Sequence, residues 1–270
     1  SPEREDPGNK KYSLLKIPKV IGGFTKKCKL IGQSFYRILG IKLIVVNNIR
    51  TAEFTKLLEN IYRSVNIGLI NEMKSICSKL NIDIFEAIEA AGTKPFGFQK
   101  FYPGPGYGGH CIPIDPFLLS WKAKQKGADA KFIKLSGLIN EKISLKISNK
   151  IFFYCKKKNE KNILIIGVAY KKNVDDLRES PALRIIDKLQ KKNLNVNYHD
   201  PFINRLPITR EFKILKKSIK INKDILKKNI VVIVTDHDKI DYELIKKYSK
   251  FIFDCRGRFK INKKDKILQL

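Results

Sequence analysis

The chain has 270 residues, 43% of them apolar, and its 55 Lys and Arg outnumber 26 Asp and Glu for a net charge of +29. That length is enough for two packed domains, and no run of eighteen apolar residues occurs, so a membrane-spanning helix is excluded. The basic excess is mostly Lys interleaved with Ile and Asn, and no zinc finger, RNA-binding aromatic motif or basic-region heptad accompanies it, so no specific nucleic-acid partner is expected.

The opening Ser1-Pro2-Glu3-Arg4-Glu5-Asp6-Pro7 is charged and lacks the apolar stretch of a signal peptide; with no initial Met it reads as part of a longer or processed chain. Pro18–Gly23 and Ile41–Val46 predict two buried strands with helical turns between them. Two strands make no α/β sheet alone, so residues 1–50 are expected to be the end of a domain begun earlier. Thr51 is a candidate N-cap, and Leu58, Ile61, Val65 and Leu69 recur at helical spacing to about Ile76, predicting a long helix with one apolar stripe. Asp83, with Glu86 three residues on, starts a second helix that Gly92 stops. Residues 93–116 read as a loop. Helical periodicity returns over Phe117–Lys126 and Phe132–Lys150, with Ile139, Ile143 and Ile147 on one face. From 151 the pattern alternates. Strands are expected over Lys161–Tyr170, Leu194–Tyr198, Ile230–Thr235 and Phe251–Asp254, with helices from Ser180-Pro181 and over Tyr242–Tyr248. Alternation at that spacing means βαβ units and a parallel sheet, whose ligands sit off the strands' carboxyl ends, at Tyr170-Lys171, Thr235-Asp236 and Asp254–Arg256.

Phe101–Pro116 carries four glycines and four prolines in sixteen residues, a composition that dictates one backbone path and lets it approach a ligand closely. Within it Cys111 follows a glycine-rich turn, beside His110 and four residues before Asp115. An isolated Cys is more often inert than catalytic, since reactivity needs a special environment. The five cysteines form no CxxC pair and the three histidines are scattered, so no metal site is expected and a reducing cytoplasm is the expected setting.

Three ordered blocks (SPEREDPGN at 1–9, FYPGPGYGGHCIPIDPF at 101–117 and AYKKNVDDLRESP at 169–181) resemble the UDP-glucose/GDP-mannose dehydrogenase family, most closely its branch acting on UDP-N-acetylglucosamine or UDP-N-acetylmannosamine. Tyr107 stands where that branch leads one to expect a smaller aliphatic residue. The resemblance implies an α/β protein with the remnant of an N-terminal Rossmann domain (1–50), a helical central domain (51–150) that dimerises through its long helix, and a C-terminal Rossmann-like domain that binds the UDP-sugar (151–270). It implies a four-electron oxidation of the sugar's primary alcohol to a carboxylate with NAD, for polysaccharide synthesis. Covalent addition of a thiolate to the aldehyde and hydrolysis of a thioester divide that reaction into easier steps.

By the same resemblance Cys111 is the nucleophile, and Lys56 and Asn60, one turn apart on one helix face, stabilise developing oxyanions. Asp115 orders water, and Glu3 is the base for thioester hydrolysis. Tyr102, Gly104, Gly106, Gly108, Tyr170, Lys171 and Arg256 would contact the substrate, with Arg258 an alternative to Arg256, and Arg178 would reach NAD. Without the motifs, Lys56, Asn60, Tyr170, Lys171, Arg178 and Arg256 would each pass for solvated surface polarity. No predicted strand is followed by the G-x-G-x-x-G turn that holds the NAD pyrophosphate; Gly104, Gly106 and Gly108-Gly109 lie among prolines in the substrate loop. The chain by itself is therefore expected to lack most of the NAD site and to be catalytically silent. The rival readings are an inactive remnant that binds UDP-sugar or dimerises, and a basic nucleic-acid-binding protein.

Overall fold

The computed structural model describes residues 1–5, 12–109, 112–209, 211–260 and 266–270. A parallel pair, β1 (Lys19–Ile21) and β2 (Leu43–Val45), flanks helix α1 (Lys26–Ile38), which Thr25 caps through Cys28 N. β1 is buried as expected, but β2 is not: Ile44 and Val45 are each 45% exposed, because β2 has only β1 beside it among the described strands.

Helix α2 (Ile49–Leu80) starts two residues before the expected Thr51. Asn48 takes the cap instead, its side chain accepting from Thr51 N at 2.9 Å, since extended backbone at 48 leaves that amide within reach. Of the anticipated apolar stripe Leu58, Ile61, Val65 and Leu69, Ile61 alone is buried. Leu58 and Leu69 are 57% and 53% exposed, whereas Asn60, Ser64, Gly68 and Asn71 are buried against α5 (Lys131–Lys158). α5 answers with Ser136, Gly137, Asn140, Ser144 and Ser148, also buried. Small residues on both sides let the two backbones approach closely, the Asn71 and Asn140 amides meet across the seam, and the Ser136, Ser144 and Ser148 hydroxyls bond main-chain carbonyls. α3 (Ile84–Ala91) is capped by Asp83, whose carboxylate accepts from Phe85 N and Glu86 N, and it ends at Gly92 as expected. α4 (Asp115–Gln125) begins at Asp115 with Pro116 in its first turn.

The carboxyl-terminal part is a five-stranded, all-parallel sheet in the order β4-β3-β5-β6-β7. Its strands are β3 (Asn162–Ile166), β4 (Asn195–His199), β5 (Ile230–Ile233), β6 (Phe251–Asp254) and the unanticipated β7 (Ile267–Gln269). Helices α6 (Pro181–Gln190, capped by Ser180), α7 (Lys223–Lys228) and α8 (Tyr242–Tyr248) cover it, and Ile163–Ile166, Val231–Ile233 and Phe253 are fully buried, as a parallel sheet with two covered faces requires. β3 is shorter than its apolar run because Gly167, at φ +77°, breaks it; a Cβ there would lie 2.0 Å from Thr235 O. No described helix is long and apolar enough to cross a membrane, and the four described cysteines are unpaired.

A cleft between the long helix and the carboxyl-terminal sheet

Residues 56, 60 and 63 lie four and three apart, so α2 presents Lys56, Asn60 and Arg63 on one face. That face forms one wall of a cleft of about 810 Å³, whose other walls are Glu3–Glu5, Tyr12, Lys16–Pro18, Gly108-Gly109, Ile112, Tyr170-Lys171 and Arg178. Asn60 is 4% exposed, and its Nδ2 donates to Asp115 Oδ2 at 2.7 Å, joining the long helix to the start of α4. Lys56 Nζ donates to the carbonyl oxygen of Glu3. Arg4 secures the amino-terminal segment, pairing with Glu59 at 2.6 Å and donating to Pro18 O at 2.8 Å.

The glycine-rich loop is held from below by the buried seam. Gly104 N donates to Asn71 Oδ1 at 3.0 Å, and Ser144 Oγ donates to Pro105 O at 2.7 Å. Asn71 Nδ2 in turn donates to Asn140 Oδ1 at 3.2 Å, and Asn140 Nδ2 donates to Ser64 O and Ser136 O. Gly108 has no room for a side chain: a Cβ would sit 2.6 Å from Tyr170 Cβ and 2.9 Å from Glu179 O. Gly109, at φ +88°, donates its N–H to Arg178 O at 2.8 Å. The loop and the 169–181 segment are thereby locked together, and their shared edge is the cleft wall.

The opposite wall follows β3. Tyr170 and Lys171 lie in the turn after Gly167, off the carboxyl end of the strand, with Tyr170 N donating to Asp176 O at 2.9 Å. Arg178 stands at the rim, its guanidinium held by the Asp176 carboxylate at 2.6–3.1 Å. Burial raises the Asp176 pKa, but the hydrogen bonds and charge of Arg178 outweigh it and hold the carboxyl below the usual range.

Among the expected site residues, this cleft gathers Glu3, Lys56, Asn60, Gly108, Tyr170, Lys171 and Arg178, with Asp115 one hydrogen bond away. Cys111 and His110 lie outside the described residues. The cleft does not gather Tyr102, Gly104, Gly106, Arg256 or Arg258. Tyr102 donates its hydroxyl to Glu89 away from the cleft. Gly106 faces Ser144, and Gly104 faces Arg256, where a Cβ would be 2.8 Å from Nη1. Arg256 donates its Nε to Val234 O at 2.7 Å beneath the loop, while Arg258 lies over the Tyr242 ring. Tyr107 is half-buried, its hydroxyl donating to Gly137 O at 3.3 Å. Burial, reinforced by Glu141 and partly offset by Arg184, pushes its pKa up to about 12. Arg63, Arg4, Tyr12 and Lys16 escaped notice in the sequence. Arg63 was detectable, one turn beyond Asn60; Tyr12 and Lys16 carry no motif.

The residues also test whether NAD fits. The G-x-G-x-x-G pattern at Gly104, Gly106 and Gly109 follows no strand, and its glycines are occupied by Arg256, Ser144 and Tyr170. Gly22 and Gly23 after β1 face Asn48 O and Lys29 N, where a Cβ would come within 2.2 and 2.5 Å. Arg178, the one residue expected to reach NAD, lines the cleft. The described residues do not form a dinucleotide site.

Residues 50–142 match the central domain of the UDP-glucose/GDP-mannose dehydrogenase family, and residues 164–261 match that family's UDP binding domain. A UDP-N-acetyl-D-mannosamine dehydrogenase of Methanococcus vannielii is 36% identical over 88% of this chain and 53% of its own length. An NDP-N-acetyl-D-galactosaminuronic acid dehydrogenase of Ralstonia nicotianae is 31% identical over 95% of this chain and 59% of its own. The solved UDP-D-ManNAc dehydrogenase of Pyrococcus horikoshii superposes with a TM-score of 0.81 at 31% identity, over 96% of this chain and 60% of that one. The chain thus spans a little over half the length of the relatives it matches.

Proposed function

The chain belongs to the UDP-glucose/GDP-mannose dehydrogenase family, and from that premise we propose that its cleft is the nucleotide-sugar site of a UDP-N-acetylhexosamine 6-dehydrogenase acting in polysaccharide synthesis. The observation that carries this is the convergence of Lys56, Asn60 and Arg63 from α2 with Tyr170-Lys171 from the carboxyl end of β3 on one cleft of about 810 Å³. Cationic side chains and amides facing one another there suit a diphosphate and the oxyanions that develop at the sugar's C6. The Methanococcus and Pyrococcus relatives favour the manno epimer.

In this reading Lys171 holds the nucleotide, while Lys56 and Asn60 stabilise the alkoxide and the tetrahedral intermediates. Asp115, which orients the Asn60 amide, orders water beside the reacting carbon, and Glu3 takes a proton from the water that cleaves the thioester. Cys111 adds its thiolate to the C6 aldehyde: the C–S bond forms as the carbonyl π pair moves onto oxygen, which takes up a proton as thiohemiacetal. NAD is the family's oxidant. Since these residues do not build its site, no step is assigned through it. A reducing, cytoplasmic setting agrees with the unpaired cysteines. The exposed Leu58, Leu69 and Leu80 of α2 are proposed as the seat of a second copy, which sedimentation analysis tests through a concentration-dependent doubling of mass.

The test of the chemistry is native mass spectrometry of the chain mixed with the 6-aldehyde of UDP-N-acetylmannosamine. The parent gains the mass of one aldehyde and Cys111→Ser gains none. Equal adducts on both would refute the covalent role of Cys111.

A further inference from the structure

Beneath the Tyr170-Lys171 wall, Asp200 and His237 form a buried pair, both side chains fully enclosed, with Nε2 3.0 Å from Oδ2. Asp200 follows β4 and His237 follows β5, so the sheet order places them on either side of the carboxyl end of β3. The two carboxylate oxygens do different work. Oδ1 accepts from Phe202 N and Ile203 N and shapes Asp200's own turn. Oδ2 reaches across the sheet to accept from Val168 N at 2.7 Å and Ala169 N at 3.2 Å, the amides just before Tyr170. Burial alone would raise this carboxyl, but the bonds from His237 and the Val168 amide outweigh it and keep the group ionised.

The imidazole completes the arrangement on the far side. Asn173 N donates to His237 Nδ1 at 2.9 Å. An N–H can be received only by a bare ring nitrogen, so the ring's proton is on Nε2, directed at Asp200. Asn173 has φ +60°, and its side chain exchanges two further bonds with Asp238, at 2.6 and 3.0 Å. Thr235 Oγ1 adds a bond to Ala169 O at 2.6 Å. The main chain is therefore anchored immediately before Tyr170 by Asp200 and Thr235, and two residues after Lys171 by His237.

We propose that Asp200 and His237, with Thr235, are positioning residues for the nucleotide-sugar cleft, holding the 168–173 turn so that Tyr170 and Lys171 meet the ligand. This rests on the reading of the cleft as a UDP-sugar site. The pair is weak as a stabiliser, because taking the Asp200 carboxylate out of water offsets most of what its hydrogen bonds return. Its bonds go instead to the backbone of the one turn that carries two cleft residues. The pair acts through that turn and touches no ligand itself.

Two measurements test this on the whole 270-residue chain. Amide hydrogen exchange compares the parent with His237→Phe, which keeps a ring and removes both bonds. Exchange at Val168, Ala169 and Asn173 should accelerate by about tenfold or more, with Ile230–Ile233 and Phe251–Asp254 unchanged. Uniform acceleration, or none, overturns the proposal. Calorimetric titration with UDP then forms a cycle with Lys171→Ala. His237→Phe should weaken UDP by about tenfold in the parent, as losing one charge-assisted contact does, and by less than about twofold once Lys171 is gone. A role confined to stability would give equal factors on both backgrounds and would also overturn it. Where His237→Phe does not fold, Thr235→Val removes the hydroxyl bond to Ala169 O in an isosteric side chain, and the same two outcomes apply. Failure of the parent chain to bind UDP refutes the reading of the cleft, whereas the exchange pattern decides the positioning role without any ligand.

Discussion

Asn140→Ala tests how the buried seam supports the cleft. Asn140 is 2% exposed in α5; its Nδ2 donates to Ser64 O at 3.0 Å and Ser136 O at 3.1 Å, and its Oδ1 accepts from Asn71 Nδ2 at 3.2 Å. The two carbonyls sit within helices and keep their main-chain partners, so the substitution orphans one group, the Asn71 amide, inside the seam. An orphaned buried donor costs about 1–3 kcal/mol, and the small cavity adds to it, giving a loss of about 2–3 kcal/mol. Asn71 also holds Gly104 N through Oδ1, so the glycine loop should loosen with the seam. In urea, followed by far-ultraviolet circular dichroism, that loss moves the midpoint down by about 1 M, given slopes of about 1–3 kcal/mol per M. Asn140→Asp keeps the shape but faces the Ser64 and Ser136 carbonyls with charge, and it should fall further. A shift below about 0.2 M for Asn140→Ala, with Asn140→Asp equally stable, would refute the role given to the seam.

Gly108→Ala should abolish UDP binding and lower the melting temperature, because its Cβ meets Tyr170 Cβ at 2.6 Å and the Glu179 carbonyl at 2.9 Å; wild-type affinity would show that the loop and the 169–181 segment can part. Lys74 Nζ is buried without a hydrogen-bond partner, over the Phe85 ring at 4.9 Å, and burial lowers its pKa to about 8 despite the opposing influence of nearby Asp254. The unfolded chain keeps that proton to about pH 10.4, so the penalty is fully present below pH 8 and fades as pH rises to 10.4. Lys74→Met should therefore stabilise by up to about 3 kcal/mol at pH 7 in urea melts, with the advantage shrinking above pH 8; an advantage flat across that window would contradict the assignment. Among the described cysteines, Cys28 should alkylate first with iodoacetamide at pH 7.5. It is exposed, and hydrogen bonding with Thr25 lowers its pKa, whereas burial pushes Cys155 up to about 11 and Cys255 up to about 12. Peptide mass spectrometry reads the order, and faster labelling of Cys155 or Cys255 would contradict it.

The order of elements was legible because punctuation in this chain is local. Asp83 and Ser180-Pro181 announce α3 and α6 by caps that act within three residues, and Gly92 ends a helix through its immediate neighbours. The packing face of α2 was not legible. Apolar periodicity pointed to Leu58, Ile61, Val65 and Leu69, of which Ile61 alone is buried, because helices that meet through Ser64, Gly68 and Asn140 pack by small size and side-chain amides, which leave no hydrophobic signal. β2 read as buried from its apolar run, yet burial depends on which strands flank it. For the site, Lys56 and Asn60 were found through the family resemblance; their four-residue spacing then puts them on one face, and Arg63, which no motif marked, obeys the same rule. The 168–173 turn owes its shape to Asp200 and His237, 31 and 64 residues distant from their amide partners Ala169 and Asn173. Only the sheet order brings those groups together. Arg256 was placed at a strand end correctly, but whether it faces the cleft or the Gly104 loop depends on the path after Asp254, whose carboxylate accepts from Arg256 N and Phe259 N.

The central claim is that this cleft binds a UDP-sugar through particular side chains rather than through the net charge of +29. Calorimetric titration of UDP-N-acetylmannosamine into the chain, into Lys171→Ala and into Lys227→Ala, each at two salt concentrations, tests it directly. Lys171 lines the cleft, whereas Lys227 lies in α7 outside it. A charge-assisted contact is worth about 1.5–3 kcal/mol, so Lys171→Ala should bind about ten-fold or more weakly at both salt concentrations. Lys227→Ala should differ little from the parent, and only in the low-salt titration. Equal losses for the two variants, vanishing together in high salt, would mean that the overall positive field alone draws the ligand, and the proposed site would fall.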